Sequence, residues 1–258
     1  MEYQTLSYEL IDKQAIITLN RPKNMNALNG QMRAEITFAI KDAAKEARVI
    51  VLTGSGKAFC SGQDLSDAGS SADIDLERTL RDEYEPMLKA IVEAPVPVIA
   101  AVNGAAAGAG ANLALAADVV IATESAFFLQ AFARIGLMPD AGGTWILPHT
   151  MGQAKAMGAA LFADKITARQ ADEWGMIWEA VPDDEFETRW KARAAALANG
   201  PTQAQAAIKA SLRAAFGTKL NDQLETEAQL QGELGRTRDF VEGVTAFLQK
   251  RPAKFEGR

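Results

Sequence analysis

The chain has 258 residues, 48% of them hydrophobic and 23% charged, with a net charge of -6. That is enough to bury one sizeable core with room for a small second unit, and the acidic balance excludes the basic field that would mark nucleic acid as a main partner. A single cysteine, Cys60, and a single histidine, His149, exclude an intrachain disulfide framework and a His-rich metal site.

No apolar run approaches membrane-spanning length and the first residues lack a signal peptide's features, so the expected setting is cytoplasmic, with no membrane partner. His149 follows Leu147-Pro148 at the edge of a helix, the place of a surface histidine. Nothing near Cys60 in sequence would lower its pKa, so it reads as a small packed residue.

Two alternating strands come first, 7–10 and 15–20, joined by the polar turn Asp12-Lys13. Arg21-Pro22-Lys23-Asn24 breaks the pattern. A helix follows from Gly30 to Ala47, with apolar positions at Met32, Ile36, Ala39, Ile40 and Ala43. Val49 to Gly54 is a short buried strand, and Gly56 to Leu65 a loop. Residues 66–75 are small and polar and read as a mobile loop. A helix spans 76–92 and ends before Pro95.

Pro97 to Val102 is another buried strand, turning at Asn103-Gly104 into tiny residues, 105–112, which lead into a helix. A strand at 119–122 completes at least three strand–helix alternations. The pattern predicts an α/β fold, mainly parallel, with right-handed crossovers. Gly104 to Gly110 lacks the spacing of a dinucleotide fingerprint.

Beyond Asp140 the chain reads as mostly helical: 151–162, a short capped helix at 167–173, a last strand within 176–181, and a helix at 183–199 ended by Gly200-Pro201. Three amphipathic helices follow, at 202–215, 219–235 and 237–249. The expected boundary falls at Gly200, dividing a core over 1–200 from a helical region over 201–258. The apolar stripes of that region need their own core or a neighbouring subunit.

Two stretches carry chemistry. The side-chain-free start of the helix after 97–102 exposes unpaired amides at the positive end of a helix dipole, a place for a negative oxygen. Gly136-Leu137-Met138-Pro139-Asp140-Ala141-Gly142-Gly143-Thr144 presents one carboxylate in a turn. Together they suggest proton chemistry beside a carbonyl. Asp140 has a plain reading too, since Pro-Asp-Ala-Gly is good turn chemistry.

Four stretches in this order resemble the crotonase superfamily, the enoyl-CoA hydratase/isomerase family. They are Leu19-Asn20-Arg21-Pro22 with Met25-Asn26-Ala27-Leu28, then Lys57 to Leu65, Pro97 to Asp118, and Gly136 to Thr144. The block from Leu137 to Pro148 with Glu173 to Trp178 is similar, more narrowly, to the isomerases that convert 2-(1,2-epoxy-1,2-dihydrophenyl)acetyl-CoA into its oxepin isomer in phenylacetate degradation. The resemblance implies a spiral of ββα units, an oligomerisation role for 201–258 as a C-terminal helical trimerisation region, and a homotrimer or a homohexamer of two trimers. It also implies an acyl-CoA thioester substrate, with coenzyme A present only as part of it and no separate cofactor.

It further implies that the amides of Gln63 and Ala109 form an oxyanion hole. Hydratases of the family carry two glutamates that would fall at Asn112 and Phe132, and neither residue can serve as acid or base. The retained carboxylate is Asp140, a position several isomerases and a dehalogenase of the family use; the dehalogenase needs a Trp where Phe132 stands.

The expected function is therefore an acyl-CoA isomerase working through a thioester enolate, acting on the ring epoxide or shifting a double bond. A hydratase, or a non-catalytic CoA- or RNA-binding relative, is the alternative. Phe132, Leu137 and Trp145 would wall an apolar pocket around Asp140 and raise its pKa. Asn112 would either bond neighbouring backbone or orient ligand. Arg21 or Lys23, and more weakly Lys57, would meet CoA phosphates. Backbone at Ala58 and Ser61 would hold adenine, and Phe247 and Lys250 of a neighbouring subunit would complete the CoA site. Leu80, Tyr84 and Met87, with loop 66–75, would line the acyl pocket, although a core stripe gives the same spacing.

Overall fold

The computed structural model describes residues 2–66 and 75–258. The greater part of the loop expected at 66–75 lies outside them. The sequence begins as a hairpin, β1 (Leu6–Ile11) antiparallel to β2 (Gln14–Leu19). Asn29 caps α1 (Gly30–Ala43) through its side chain, which accepts from the Met32 amide at 2.9 Å.

From here the chain repeats one unit. A strand joins a large sheet, a second short strand joins a small sheet, and a helical segment returns. β3 (Val49–Gly54) is followed by β4 (Ala58–Cys60), β5 (Val98–Val102) by β6 (Ala105–Ala107), and β7 (Val119–Thr123) by β8 (Phe127–Leu129). The large sheet runs β1-β2-β3-β5-β7-β10, parallel from β2 onward. The small one runs β4-β6-β8-β9, with β4, β6 and β8 parallel. Here β9 is Ile166–Thr167 and β10 is Glu179–Val181. This is the spiral of ββα units.

The apolar runs of β3 and β5 do not alternate because both faces of the large sheet are covered. Ile50, Leu52, Val98, Ala100 and Val102 enter the main core, whereas Val49, Val51, Ile99 and Ala101 meet Trp190, Ala194 and Ala198 of α7 (Phe186–Ala198). The parallel β4, β6 and β8 all end at one edge of the small sheet. The residues that follow them are Gly62-Gln63, Gly108-Ala109 and Gln130 to Phe132.

Three segments differ from the sequence expectation. The tiny residues 105–112 are not all helix: Ala105–Ala107 pair with β4 and β8, and α4 (Ala109–Leu115) begins only after Gly108. The helix expected at 76–92 is α2 (Leu76–Thr79) and α3 (Glu85–Val92) joined by a wider π-helical turn, Leu80–Tyr84. The helix expected from Met151 begins at Gly143 and runs as α5 (Gly143–Phe162), broken at Gly152, which has φ 77.

After the capped α6 (Ala168–Glu173) and α7, the chain ends in α8 (Thr202–Ala214), α9 (Leu220–Leu234) and α10 (Arg238–Leu248). α8 is pinned to the core by buried charge. Lys209 Nζ reaches the Ile91 carbonyl at 2.9 Å and Asp118 at 2.9 Å, and Arg213 pairs with Asp118 at 2.8 Å. Among the described residues no helix is long and apolar enough to cross a membrane.

Candidate active site

The strand ends of the small sheet assemble the site. Leu28 forms a parallel bridge with Gln63: its amide donates to the Gly62 carbonyl at 2.7 Å and its carbonyl accepts from the Asp64 amide at 3.0 Å. In such a ladder the N–H of Gln63 itself points to the opposite edge, and it has no partner among the described residues. Across that edge lies the start of α4. A Cβ at Gly62, which has φ +98, would stand 2.8 Å from the Ala107 carbonyl and 3.5 Å from the Ala109 nitrogen. Only glycine permits that approach.

The Ala109 amide is the first of α4 and likewise has no partner among the described residues. Two backbone donors without partners among the described residues thus lie at neighbouring strand ends, the kind of group an anionic oxygen needs. Phe132 is buried beside the second; a Cβ on Gly108 would lie 3.8 Å from its ring.

Asp140 is presented by a tight turn into α5. Ala141 takes a left-handed φ of 47 and Gly142 one of 81; for alanine this conformation costs on the order of 1 kcal/mol. The Asp140 carbonyl is fixed twice, by the Gly143 amide at 2.8 Å and by Asn112 Nδ2 at 2.8 Å. Asn112 is fully buried and its other end accepts from Gln130 Nε2 at 2.9 Å. Both ends of the Asn112 amide are therefore engaged inside the protein.

Gly143 makes this possible, since a Cβ there would stand 2.4 Å from Asn112 Nδ2. The Asp140 backbone is held, and no other residue's side chain pairs with its carboxyl among the described residues: Oδ1 is buried and has no hydrogen-bond partner, and the residue's own backbone supplies a hydrogen bond to the carboxyl. Burial pushes its pKa up from 3.8 to about 6. Tyr84 is buried nearby. Burial raises its pKa, with Cys60 and Asp140 adding to the rise and Arg33 opposing it, so it stays a neutral donor.

Of the residues expected around CoA, Arg21 is already occupied. Its Nη1 meets Asp64 at 2.8 Å and the Ala27 carbonyl at 2.5 Å. Lys23 and Lys57 are exposed, with no ion pair among the described residues. Ala58 is buried in β4 with its carbonyl taken by Asn26 at 2.8 Å, while Ser61 is exposed and its amide donates to the Met25 carbonyl at 3.0 Å. Lys250 lies past α10 with its amide on the Phe247 carbonyl, and Phe247 is exposed. No hydrogen bond or ion pair ties Lys250 to the 21–64 loops within one chain among the described residues.

Met87 and Leu80 pack in the core, while Tyr84 donates its hydroxyl to Gln63 Oε1 at 2.5 Å. Two expected pocket walls are elsewhere. Leu137 is exposed, and Trp145 stacks on His149 at 4.6 Å and faces Phe216. Gly143, Ile146 and Leu147 occupy the inward face of α5, which turns Trp145 outward. Cys60 is fully buried and its thiol is pushed up to about 12, so it is inert packing.

The sequence reading gave no role to Asn26, Arg33, Glu83 or Gln130. Asn26 is fully buried and clamps three segments, accepting from the Arg21 amide and donating to the carbonyls of Ser55 and Ala58. Its left-handed φ of 54, shared with Met25 at 51, is a conformation asparagine tolerates. Arg33 had a visible signal, a charge beside Met32 on the inward face of α1. Nothing in the sequence marked Gln130.

The profile of the enoyl-CoA hydratase/isomerase family matches residues 12–258. The chain is 62% identical over 258 residues to a Rhodobacter capsulatus protein named a probable enoyl-CoA hydratase, covering all of both chains. It is 43% identical over 247 residues, 94% of each chain, to the 1,2-epoxyphenylacetyl-CoA isomerase of Escherichia coli. A Mycobacterium abscessus protein solved under the description enoyl-CoA hydratase/isomerase superposes with a TM-score of 0.93 at 37% identity, over 98% of this chain and 100% of that one. This chain is an enzyme of the enoyl-CoA hydratase/isomerase family, the crotonase superfamily.

Proposed function

We propose that the protein is an acyl-CoA isomerase. The observation that carries this is the Asp140 carboxyl: half-buried, with its Oδ1 enclosed and unpaired, and with a pKa of about 6. The positions where the resemblance puts a hydratase's glutamates hold Asn112, engaged at both ends, and Phe132.

A thioester carbonyl seated on the Gln63 and Ala109 amides would gain stabilisation as it becomes an enolate oxygen, so the adjacent C–H becomes acidic. Asp140 then accepts that proton, and the same carboxyl can return it to another carbon, which is a double-bond shift. Losing one donor of such a hole costs about 3 kcal/mol in other enzymes. For the ring epoxide, the same hole would support opening and rearrangement to the oxepin. The likeness to the E. coli isomerase supports that substrate, and with it a place in phenylacetate catabolism.

Lys23 is the freer cation for CoA phosphates, since Arg21 is held by Asp64. The exposed apolar residues of α8 to α10, among them Ile208, Leu212, Phe240 and Phe247, support a homotrimer or homohexamer.

Incubation with crotonyl-CoA and with 3-hexenoyl-CoA tests the reading. It predicts conversion of 3-hexenoyl-CoA to the conjugated 2-enoyl thioester and little 3-hydroxy product from crotonyl-CoA. Rapid hydration of crotonyl-CoA, the activity in the R. capsulatus protein's name, would overturn it. A screen of aromatic-ring acyl-CoAs then separates epoxide from alkene isomerisation.

A further inference from the structure

The Gln63 amide is useful only if it points one way, and Gln63 is held well beyond the needs of a loop. Leu28 grips the backbone on either side of it, at Gly62 and Asp64. The side chain is anchored as well. Gln63 Oε1 accepts from Tyr84 Oη at 2.5 Å and from Arg33 Nη1 at 3.0 Å, so both lone pairs face donors and the orientation of the amide group is unambiguous.

Arg33 is only 3% exposed. Its Nη1 also donates to the Leu28 carbonyl at 2.7 Å, the same carbonyl that receives the Asp64 amide. Its Nε and Nη2 fork onto Glu83 at 2.9 and 2.6 Å, and its guanidinium lies 5.0 Å from the centre of the Tyr84 ring. Glu83 and Tyr84 come from the π-helical turn Leu80–Tyr84, a local widening that often marks functional segments. One buried cation therefore ties together the bridge strand, the side chain of Gln63 and the turn that carries Tyr84. A planar five-donor fork can do this; an ammonium cannot.

We infer that Arg33 is a positioning residue: by holding the Leu28 carbonyl and the Gln63 side chain at once, with Tyr84 as second anchor, it fixes the direction of the Gln63 amide in the oxyanion hole. Arg33 itself touches no reacting atom. The inference rests on the proposed role of the Gln63 amide, so its test must separate the two.

Phenylacetyl-CoA labelled with carbon-13 at the thioester carbonyl is the probe, read by difference infrared spectroscopy, with 3-hexenoyl-CoA for turnover. The wild-type protein is expected to move the bound carbonyl stretch down relative to free thioester. Arg33→Lys, which keeps the charge against Glu83, is expected to lose most of that shift. Its kcat should fall about tenfold, short of the ~10²-fold loss on deleting a donor, with KM changed less than twofold. Gln63→Leu keeps its backbone amide and is expected to do the same, and the double variant to be no worse than either single one.

A full carbonyl shift and full kcat in Arg33→Lys would overturn the inference. So would a double variant that multiplies the two losses. If the wild-type protein shows no carbonyl shift, the oxyanion hole falls and this inference with it. Should Arg33→Lys not fold, Tyr84→Phe removes the second anchor alone and is expected to reduce the shift in the same direction; an unchanged shift there would count against the clamp.

Discussion

Two aspartates sit in loops that also carry glycine, Asp64 after Gly62 and Asp140 before Gly142, and they are treated in opposite ways. Asp64 is 6% exposed and fully satisfied: Arg21 meets Oδ2 at 2.8 Å, and the Ser66 amide and hydroxyl meet Oδ1 at 3.0 and 2.6 Å. Burial works to raise its pKa, yet Ser66 and Arg21 outweigh that and hold it below the usual value. Asp140 is half-buried with Oδ1 unpaired; burial outweighs the hydrogen bond from its own backbone, and its pKa rises to about 6. The first carboxylate ties the 21–28 and 61–66 segments together. The second is kept short of partners, which is the electrostatic setting that the proposed proton acceptor requires.

The largest expected effect of breaking this contrast is on turnover. Asp140→Asn is isosteric and leaves the backbone bonds from Gly143 and Asn112 in place. It should retain acyl-CoA binding, measured by calorimetry, and lose at least ~10²-fold in kcat for isomerisation. Unchanged turnover would remove Asp140 as the base.

Next is pH. A base with a pKa of about 6 must be deprotonated to act. The wild-type kcat/KM should rise about tenfold per pH unit below that value and level off above it. A flat profile between pH 5 and 7 would contradict the assignment.

The two aspartates should also move stability in opposite directions. For Asp140 the folded pKa lies above the unfolded one. The fold is therefore favoured below the unfolded pKa of 3.8 and loses that advantage as pH rises through about 6. The penalty has an upper bound on the order of 3 kcal/mol at pH 8. Asp140→Asn should raise the melting temperature at pH 8 and leave it unchanged near pH 3.

For Asp64 the folded pKa is lowered. Its stabilisation is present above the unfolded pKa and is lost as pH falls through the folded one. Asp64→Asn should cost about 1–2 kcal/mol at neutral pH, a few degrees of melting temperature, and change kcat far less than Asp140→Asn.

The parallel strands of the large sheet were legible because they are apolar runs bounded by glycine, proline and charge, and the C-terminal helices because their stripes are long; the spiral of ββα units followed only from the resemblance. The small sheet was not legible. Ala105–Ala107 pair only through backbone with β4 and β8, and three alanines carry no strand signal. Asp140, Gln63 and Ala109 were named from a four-part resemblance together with the chemistry of a side-chain-free helix start. The proximity of the two amides is visible only as the space beside Gly62. The roles of Arg33 and Asn26 were not legible, although the placement of Arg33 beside Met32 hinted at burial: a buried polar side chain acts through bonds to distant groups, and sequence spacing does not report those partners. Trp145 was assigned to the wrong wall because an aromatic two residues into a helix faces whichever side its smaller neighbours leave open.

The most direct test of the account is exchange of the α-protons of phenylacetyl-CoA in deuterated water, followed by proton NMR. This thioester has no aliphatic double bond to move or hydrate, so exchange reports enolate formation alone. The wild-type protein is expected to exchange the α-position, faster above pH 6 than below, and Asp140→Asn to exchange it at least ~10²-fold more slowly. Equal exchange in both proteins, or none in the wild type, would contradict the claim that two backbone amides and the Asp140 carboxylate make the enolate.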